Sequence, residues 1–136
     1  MKIKIRYFSE DSKPPVRAHY NDAGADIYSP ISLSIAPNET RAIGLGFGVE
    51  IPDGHTGFIM VRSSMAKKGI DCKLPPIDSG YRGEVHAVIF NGSDRWFSID
   101  KGDRIGQLVI LPVILAEFVE DTGEERGEGW AGSTGK

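Results

Sequence analysis

The chain has one cysteine and three histidines among its 136 residues. Cys72 alone makes no internal disulfide, and no Cys or His pair stands at the spacing a structural zinc site needs. A reducing compartment follows, and the expected location is the cytoplasm. No apolar run is long enough for a membrane span or a signal segment; Lys2 to Tyr7 instead alternates charge with bulk. The net charge of -3 leaves no electrostatic footprint for a nucleic-acid backbone, so polymeric DNA or RNA is disfavoured as a partner. No repeat is present. Helix has little room, because the 17 glycines and 8 prolines fall mostly between short apolar runs, where they supply the turns.

What the sequence does have is period-two alternation. Ile3, Ile5 and Tyr7, then Ile31, Leu33 and Ile35, then Ile43, Leu45, Phe47, Val49 and Ile51 each read as a strand buried on one face. Apolar runs at Phe58 to Val61, Val85 to Phe90, Trp96 to Ile99 and Leu108 to Ile114 follow, each bounded by Gly, Pro, Asp or Asn. This spacing predicts one all-β domain, a sandwich or barrel. The one helical stretch expected is Ser63 to Lys68, with a serine cap and Gly69 as its stop. From Glu117 onward acidic residues and glycines replace the apolar pattern, so the expected division is a core over 1–116 and an arm over 117–136.

Five polar, glycine-rich clusters have no use in a core. They are Asp22 to Asp26, Arg62 to Ala66, Ile77 to Glu84, Gly102 to Gln107 and Arg126 to Gly135. Singly, each reads as a turn, a cap or a solvated loop. Together they offer carboxylates for water or metal, arginines and hydroxyls for phosphate, and glycines that let backbone N–H groups approach an anion, which points to a polyphosphate ligand. A phosphate loop of the Gly-x-x-x-x-Gly-Lys-[Ser/Thr] type is absent; Gly132-Ser133-Thr134-Gly135-Lys136 has its residue types in another order. The three histidines are unpaired at ligand spacing and read as structural or surface groups.

In order and spacing the clusters resemble the five motifs of the trimeric all-β dUTPases, over nearly the whole chain. The first appears as Ala23-Gly24-Ala25-Asp26, the second as Arg62 to Gly69 and the third as Ile77-Asp78-Ser79-Gly80-Tyr81-Arg82-Gly83-Glu84. The fourth appears as Gly102-Asp103-Arg104-Ile105-Gly106-Gln107-Leu108, and the fifth as Arg126-Gly127-Glu128-Gly129 with Gly132-Ser133-Thr134-Gly135. The resemblance implies a jelly-roll or distorted β-barrel, a homotrimer with sites at subunit interfaces, Mg²⁺ bound through the substrate triphosphate, and hydrolysis of dUTP to dUMP and pyrophosphate.

By the same resemblance Asp78 is the base that activates water, a task that needs only a proton acceptor in line with the α-phosphorus. Tyr81 packs under the deoxyribose, leaving no space for a 2′-hydroxyl. Arg62, Ser63, Ser64 and Gln107 bind phosphate, and Asp26 meets the metal indirectly through water. Asp103 and Arg104 are structural, pairing with other motif residues. In the arm, Arg126, Ser133 and Thr134 close over the phosphates from another subunit.

The pattern departs from the family twice. The aromatic that the family places directly before Gly-Ser-Thr-Gly is here Ala131, with Trp130 one residue earlier; Trp130 is expected to stack on the base. Before Asp78 the chain reads Pro75-Pro76-Ile77, and proline has no N–H to give a base. The base pocket is therefore expected to draw on Ile77, Cys72, Lys73 or the backbone near His86. Two rivals share the fold. A dCTP deaminase needs a glutamate in the strand after the hairpin, where this chain reads His86-Ala87-Val88-Ile89-Phe90. A non-catalytic nucleotide- or protein-binding module has no reason to keep Asp78.

Overall fold

The structure, a computed structural model, describes residues 1–123. Among these, ten strands and one short helix alternate with turns: β1 (Lys4–Tyr7), β2 (Ala25–Tyr28), β3 (Leu33–Ile35), β4 (Thr40–Gly44), β5 (Phe47–Glu50), β6 (His55–Met60), α1 (Ser63–Ala66), β7 (Ile70–Lys73), β8 (His86–Asn91), β9 (Phe97–Ile99) and β10 (Arg104–Pro112). They form four small sheets, ordered β1-β5, β2-β10-β6, β3-β9 and β4-β8-β7. Every ladder is antiparallel. The expected all-β class is what the chain adopts. No described helix is long and apolar enough to cross a membrane.

Alternation builds the core as predicted from Ile43 to Ile51 and on β8, but β1 has no buried residue, with Tyr7 52% exposed, and Ile31 is 50% exposed and lies before β3. On β8, Ala87, Ile89 and Asn91 point inward while His86, Val88 and Phe90 point out. They meet Ile27, Ile35, Ile43, Leu45, Phe47 and Ile105, all buried. Burying each of these large side chains contributes about 1.5–3 kcal/mol. Asn91 is the polar exception. Its Nδ2 donates to the carbonyls of Ile35 at 2.9 Å and Arg95 at 2.7 Å, and its Oδ1 accepts from Ser93 N and Oγ. A buried amide with its partners met ties β3, β8 and the β8–β9 turn together.

Three further readings of the sequence are corrected. The run from Ile43 to Ile51 is two strands, because Gly46 takes φ +78°, a conformation that swings the chain between sheets. The short strand β2 overlaps a stretch read as a motif, and β7 lies in one assigned no element. The helix is four residues long, and Arg62, not a serine, stands at its cap position with no side-chain hydrogen bond. It ends at Ala66 with Lys67 at its C-cap, so Gly69, expected as its stop, instead takes φ +83° in the turn that follows. The last strand ends at Pro112, and Val113 to Gly123 carry no regular structure.

Candidate active site

Three segments far apart in sequence converge on one cleft. β6 ends at Met60, the chain turns through Val61 and Arg62 into α1, and buried Met65 anchors that turn. Gln107 on β10 stands between the two neighbouring strands, paired with Asp26 of β2 on one side and Met60 of β6 on the other. Its Nε2 donates to Val61 O at 3.0 Å, so the amide is fixed to the start of the Arg62 turn. Asp26 lies between two guanidiniums, with Oδ1 at 3.8 Å from Arg62 Nε and Oδ2 at 3.4 Å from Arg104 Nη1. The result is a polar cleft of about 580 Å³ lined by Asp26, Arg62, Ser63, Ser64, Lys67, Lys68 and Gln107. Cations and hydroxyls in this number suit a polyphosphate. With Arg62 at the cap position, the hydroxyls of Ser63 and Ser64 are left to the cleft.

The Asp78 hairpin is held elsewhere. Ile77 exchanges both backbone hydrogen bonds with Gly57, and Thr56 Oγ1 also donates to Ile77 O. Tyr81 N closes a turn on Asp78 O at 3.0 Å, and the Tyr81 hydroxyl donates to Glu84 O at 2.8 Å. A Cβ at Gly83 would stand 2.5 Å from that hydroxyl, so only glycine lets the ring lie across the hairpin. Glu84 Oε2 accepts from Gly46 N at 2.7 Å, docking the hairpin on the β4–β5 bend. Arg82 pairs with Glu50, and its hydrogen bond and charge hold that carboxyl below its ordinary pKa. Asp78 itself is exposed.

Beside the hairpin is a second cleft of about 210 Å³, lined by Pro75, Pro76, Ile77, Tyr81, His86 and Val88, with Glu84 and Val85 at its edge. The β7–β8 ladder has its last pair at Lys73↔Val88, and its continuation would set Pro75 against His86. Proline cannot donate there, so the ladder opens. Val85 turns its N–H to Phe47 O and its C=O to Leu45 N. By antiparallel alternation His86 turns its own pair the other way, into the gap. One donor and one acceptor, side by side, thus face the cleft.

Asp78 and the phosphate cleft stand at opposite ends of β6. Antiparallel pairing of Ile77 with Gly57, and the bond from Ser79 Oγ to Asp53 Oδ1, run the hairpin away from Met60. Gly57 lies within β6, and Arg62 lies beyond the end of that strand at Met60, in the turn to α1.

The dUTPase family model matches residues 10–135. The chain belongs to the dUTPase family. Similar relatives include the deoxyuridine 5'-triphosphate nucleotidohydrolases of Nautilia profundicola, 41% identical with both chains covered in full, and Clostridium tetani, 37% identical over 98% of this chain and 97% of that one. Among solved structures, the dUTPase from phage phi11 of S. aureus superposes with a TM-score of 0.85 at 26% identity, covering 92% of this chain and 99% of that one. A mutant dUTPase of Staphylococcus bacteriophage 80alpha with dUpNHpp gives 0.85 at 29% identity, covering 98% and 99%. The fold is the jelly roll of the dUTPases.

Of the residues expected from the dUTPase motifs, Asp26, Arg62, Ser63, Ser64 and Gln107 meet in one cleft, and Ile77, Tyr81 and His86 in the other. Cys72 joins neither. The inward alternation of β7 turns its thiol into the core, where burial, with a smaller contribution from Asp71, pushes its pKa up to about 11. Arg104 pairs with Asp26 as expected, while Asp103 Oδ2 accepts from Asp100 N at 2.8 Å and shapes its own turn. Trp130, Arg126, Ser133 and Thr134 lie outside the described residues. The sequence reading passed over Lys67 and Lys68, whose signal was their place directly after the serines. It also passed over Glu84, whose contact with Gly46 spans 38 residues and leaves no local trace.

Proposed function

We propose that this chain hydrolyses dUTP to dUMP and pyrophosphate. The observation that carries this reading is the convergence of Asp26, Arg62, Ser63, Ser64 and Gln107 on one cleft from three separated segments. The Nautilia profundicola and Clostridium tetani relatives are nucleotidohydrolases of deoxyuridine 5'-triphosphate, and dUpNHpp occupies the phage 80alpha protein. In this reading Asp78 takes a proton from the water that attacks the α-phosphorus. Arg62 and the serine hydroxyls neutralise charge on the bridging and leaving oxygens. Tyr81, clamped to Glu84 O, forms a flat floor for the sugar. The N–H and C=O of His86 match the acceptor and donor of a uracil edge, replacing what Pro75 cannot give.

Asp78 acts on a phosphorus that the Arg62 cleft binds, yet the pairing of Ile77 with Gly57 carries the Asp78 hairpin away from the Met60 end of β6, where that cleft begins. Two copies complete one site when the hairpin of one meets the cleft of the next, which supports a homotrimer. Exposed Val113, Ile114, Leu115, Phe118 and Val119 offer apolar surface for that assembly.

The phi11 phage dUTPase coordinates a structural Mg(II) ion. Here the described residues hold no cluster of three His, Cys, Asp or Glu side chains, and Asp26 is already engaged by two arginines. That donor set fits Mg²⁺ held by substrate phosphates and water, with Asp26 at one remove. The ion, when bound, would offset charge on the phosphates. The lone, buried Cys72 supports a cytoplasmic setting.

Pyrophosphate release measured against dUTP, dTTP, dCTP and UTP with Mg²⁺ tests the reading. Release from dUTP far above the others is the expected result. Ammonia from dCTP without pyrophosphate would overturn it, as would tight dUTP binding without turnover.

A further inference from the structure

The phosphate cleft does not end at α1. A cleft of about 310 Å³ continues from it past Arg62, Ser64, Lys68 and Arg104 to Phe97 and Ser98. A third of about 570 Å³, sharing Lys68, Phe97 and Ser98 with it, lies between Lys68 and the β8–β9 turn with Arg95 and Trp96. Lys68 lines all three. Its four-carbon stem lets one ammonium serve either side.

We propose that this run of clefts is a path for inorganic pyrophosphate. Lys68 is a further ligand of the substrate's terminal phosphates, and Arg95 beyond it binds the pyrophosphate as it leaves. The inference rests on the hydrolysis reading above. No bond forms or breaks along the path; the anion already released by attack at the α-phosphorus moves outward.

Three observations carry it. Two cations along these clefts are already matched, Arg62 and Arg104, both with Asp26. Lys67, Lys68 and Arg95 have no carboxylate within ion-pair distance among the described residues, although Asp94 shares the lining of the outer cleft. Charge also falls along the path. The inner cleft sets Arg62, Lys67 and Lys68 against Asp26, the middle one Arg62, Lys68 and Arg104 against Asp103, and the outer one only Lys68 and Arg95 against Asp94. A multiply charged anion is therefore passed from stronger to weaker holding on its way to solvent. Finally, the outer wall is prebuilt. Gly92 N donates to Gly69 O at 2.9 Å, tying the end of α1 to the turn, and Asn91 with Ser93 fixes Arg95 O from behind. Trp96 stands 67% exposed on that wall, so it reports on whatever enters.

The test uses the full chain, with calorimetric titration by inorganic pyrophosphate and product inhibition of dUTP hydrolysis read in parallel. Arg95→Gln should weaken pyrophosphate binding and inhibition by about fivefold or more, as loss of one charge-assisted contact implies, exceeding any change in KM for dUTP. Arg95→Lys should restore most of it. Lys68→Met should raise KM for dUTP and weaken pyrophosphate binding together. Circular dichroism and thermal melting show that each variant is folded. In a Trp130→Phe background, Trp96 fluorescence should respond to pyrophosphate, and Arg95→Gln should reduce the response. Unchanged pyrophosphate binding in folded Arg95→Gln overturns the proposal. Failure of the native chain to hydrolyse dUTP would instead overturn the hydrolysis reading, and the calorimetric comparison reads the pyrophosphate site without turnover.

Discussion

Gly24 and Gln107 are fitted so closely that a Cβ on Gly24 would stand 2.8 Å from Cβ of Gln107. The glycine of the first motif thus sets where the glutamine of the fourth motif lies, and through Nε2 to Val61 O where the phosphate turn begins. Gly24→Ala should displace Gln107 and lower kcat/KM for dUTP by about 10-fold or more, about 1.4 kcal/mol of transition-state binding. Circular dichroism should show the β-fold retained, and an unchanged kcat/KM would separate Gly24 from the phosphate cleft.

Asp78 is exposed and makes no side-chain hydrogen bond among the described residues, so its removal has little structural cost. Asp78→Asn should lower kcat by about 10²–10⁴-fold, the range of a general base, with the melting temperature unmoved. Binding of a non-hydrolysed dUTP analogue, measured by calorimetry, should persist.

Tyr81 is held across the hairpin by its bond to Glu84 O and by the space at Gly83. Tyr81→Ala opens that floor. The ratio of kcat/KM for UTP to that for dUTP should rise by about 10-fold, the scale on which a steric fit discriminates one small group. A ratio that stays constant would remove Tyr81 from sugar selection.

Asn91→Ala leaves the carbonyls of Ile35 and Arg95 and the amide of Ser93 without their partner inside the protein. Each buried orphan costs about 1–3 kcal/mol, and the expected loss of unfolding free energy is more than about 2 kcal/mol. Urea denaturation measures it.

Cys72 gives a pH signature at the alkaline end. Its folded pKa is raised from the ordinary 9.0 to about 11, so between those values the unfolded chain loses a proton that the folded chain keeps. The stability from the neutral thiol is present below pH 9 and is lost as pH rises through 11, by about 1.4 kcal/mol for each unit of separation. Unfolding free energy should fall across this window in the native chain and fall less in Cys72→Ala. Disulfide reagents at pH 8 should label the thiol only on unfolding.

Strand existence was legible wherever an alternating run held three or more inward side chains, as from Ile43 to Ile51 and from Val85 to Phe90. β2 and β7 were not, because four residues give two inward positions each and, in β2, Asp26 broke the apolar pattern. The cluster residues were legible as a set because polyphosphate chemistry needs their types together. Lys68 was not, since a lysine after a short helix also reads as solvated surface until three clefts are seen to share it.

The sequence by itself determined the all-β class, the family and the residue types gathered in the motifs, because alternation and residue type are local properties. Only the tertiary structure decided which of them meet. The register of β10 against β2 and β6 brings Asp26, Gln107 and the Arg62 turn together, while the pairing of Ile77 with Gly57 carries Asp78 to the other end of β6. Inward pleating withdrew Cys72 from the base cleft, and Pro75 opened the ladder so that the backbone of His86 faces it. Register and pleat are properties of paired strands, and no single stretch of chain contains them.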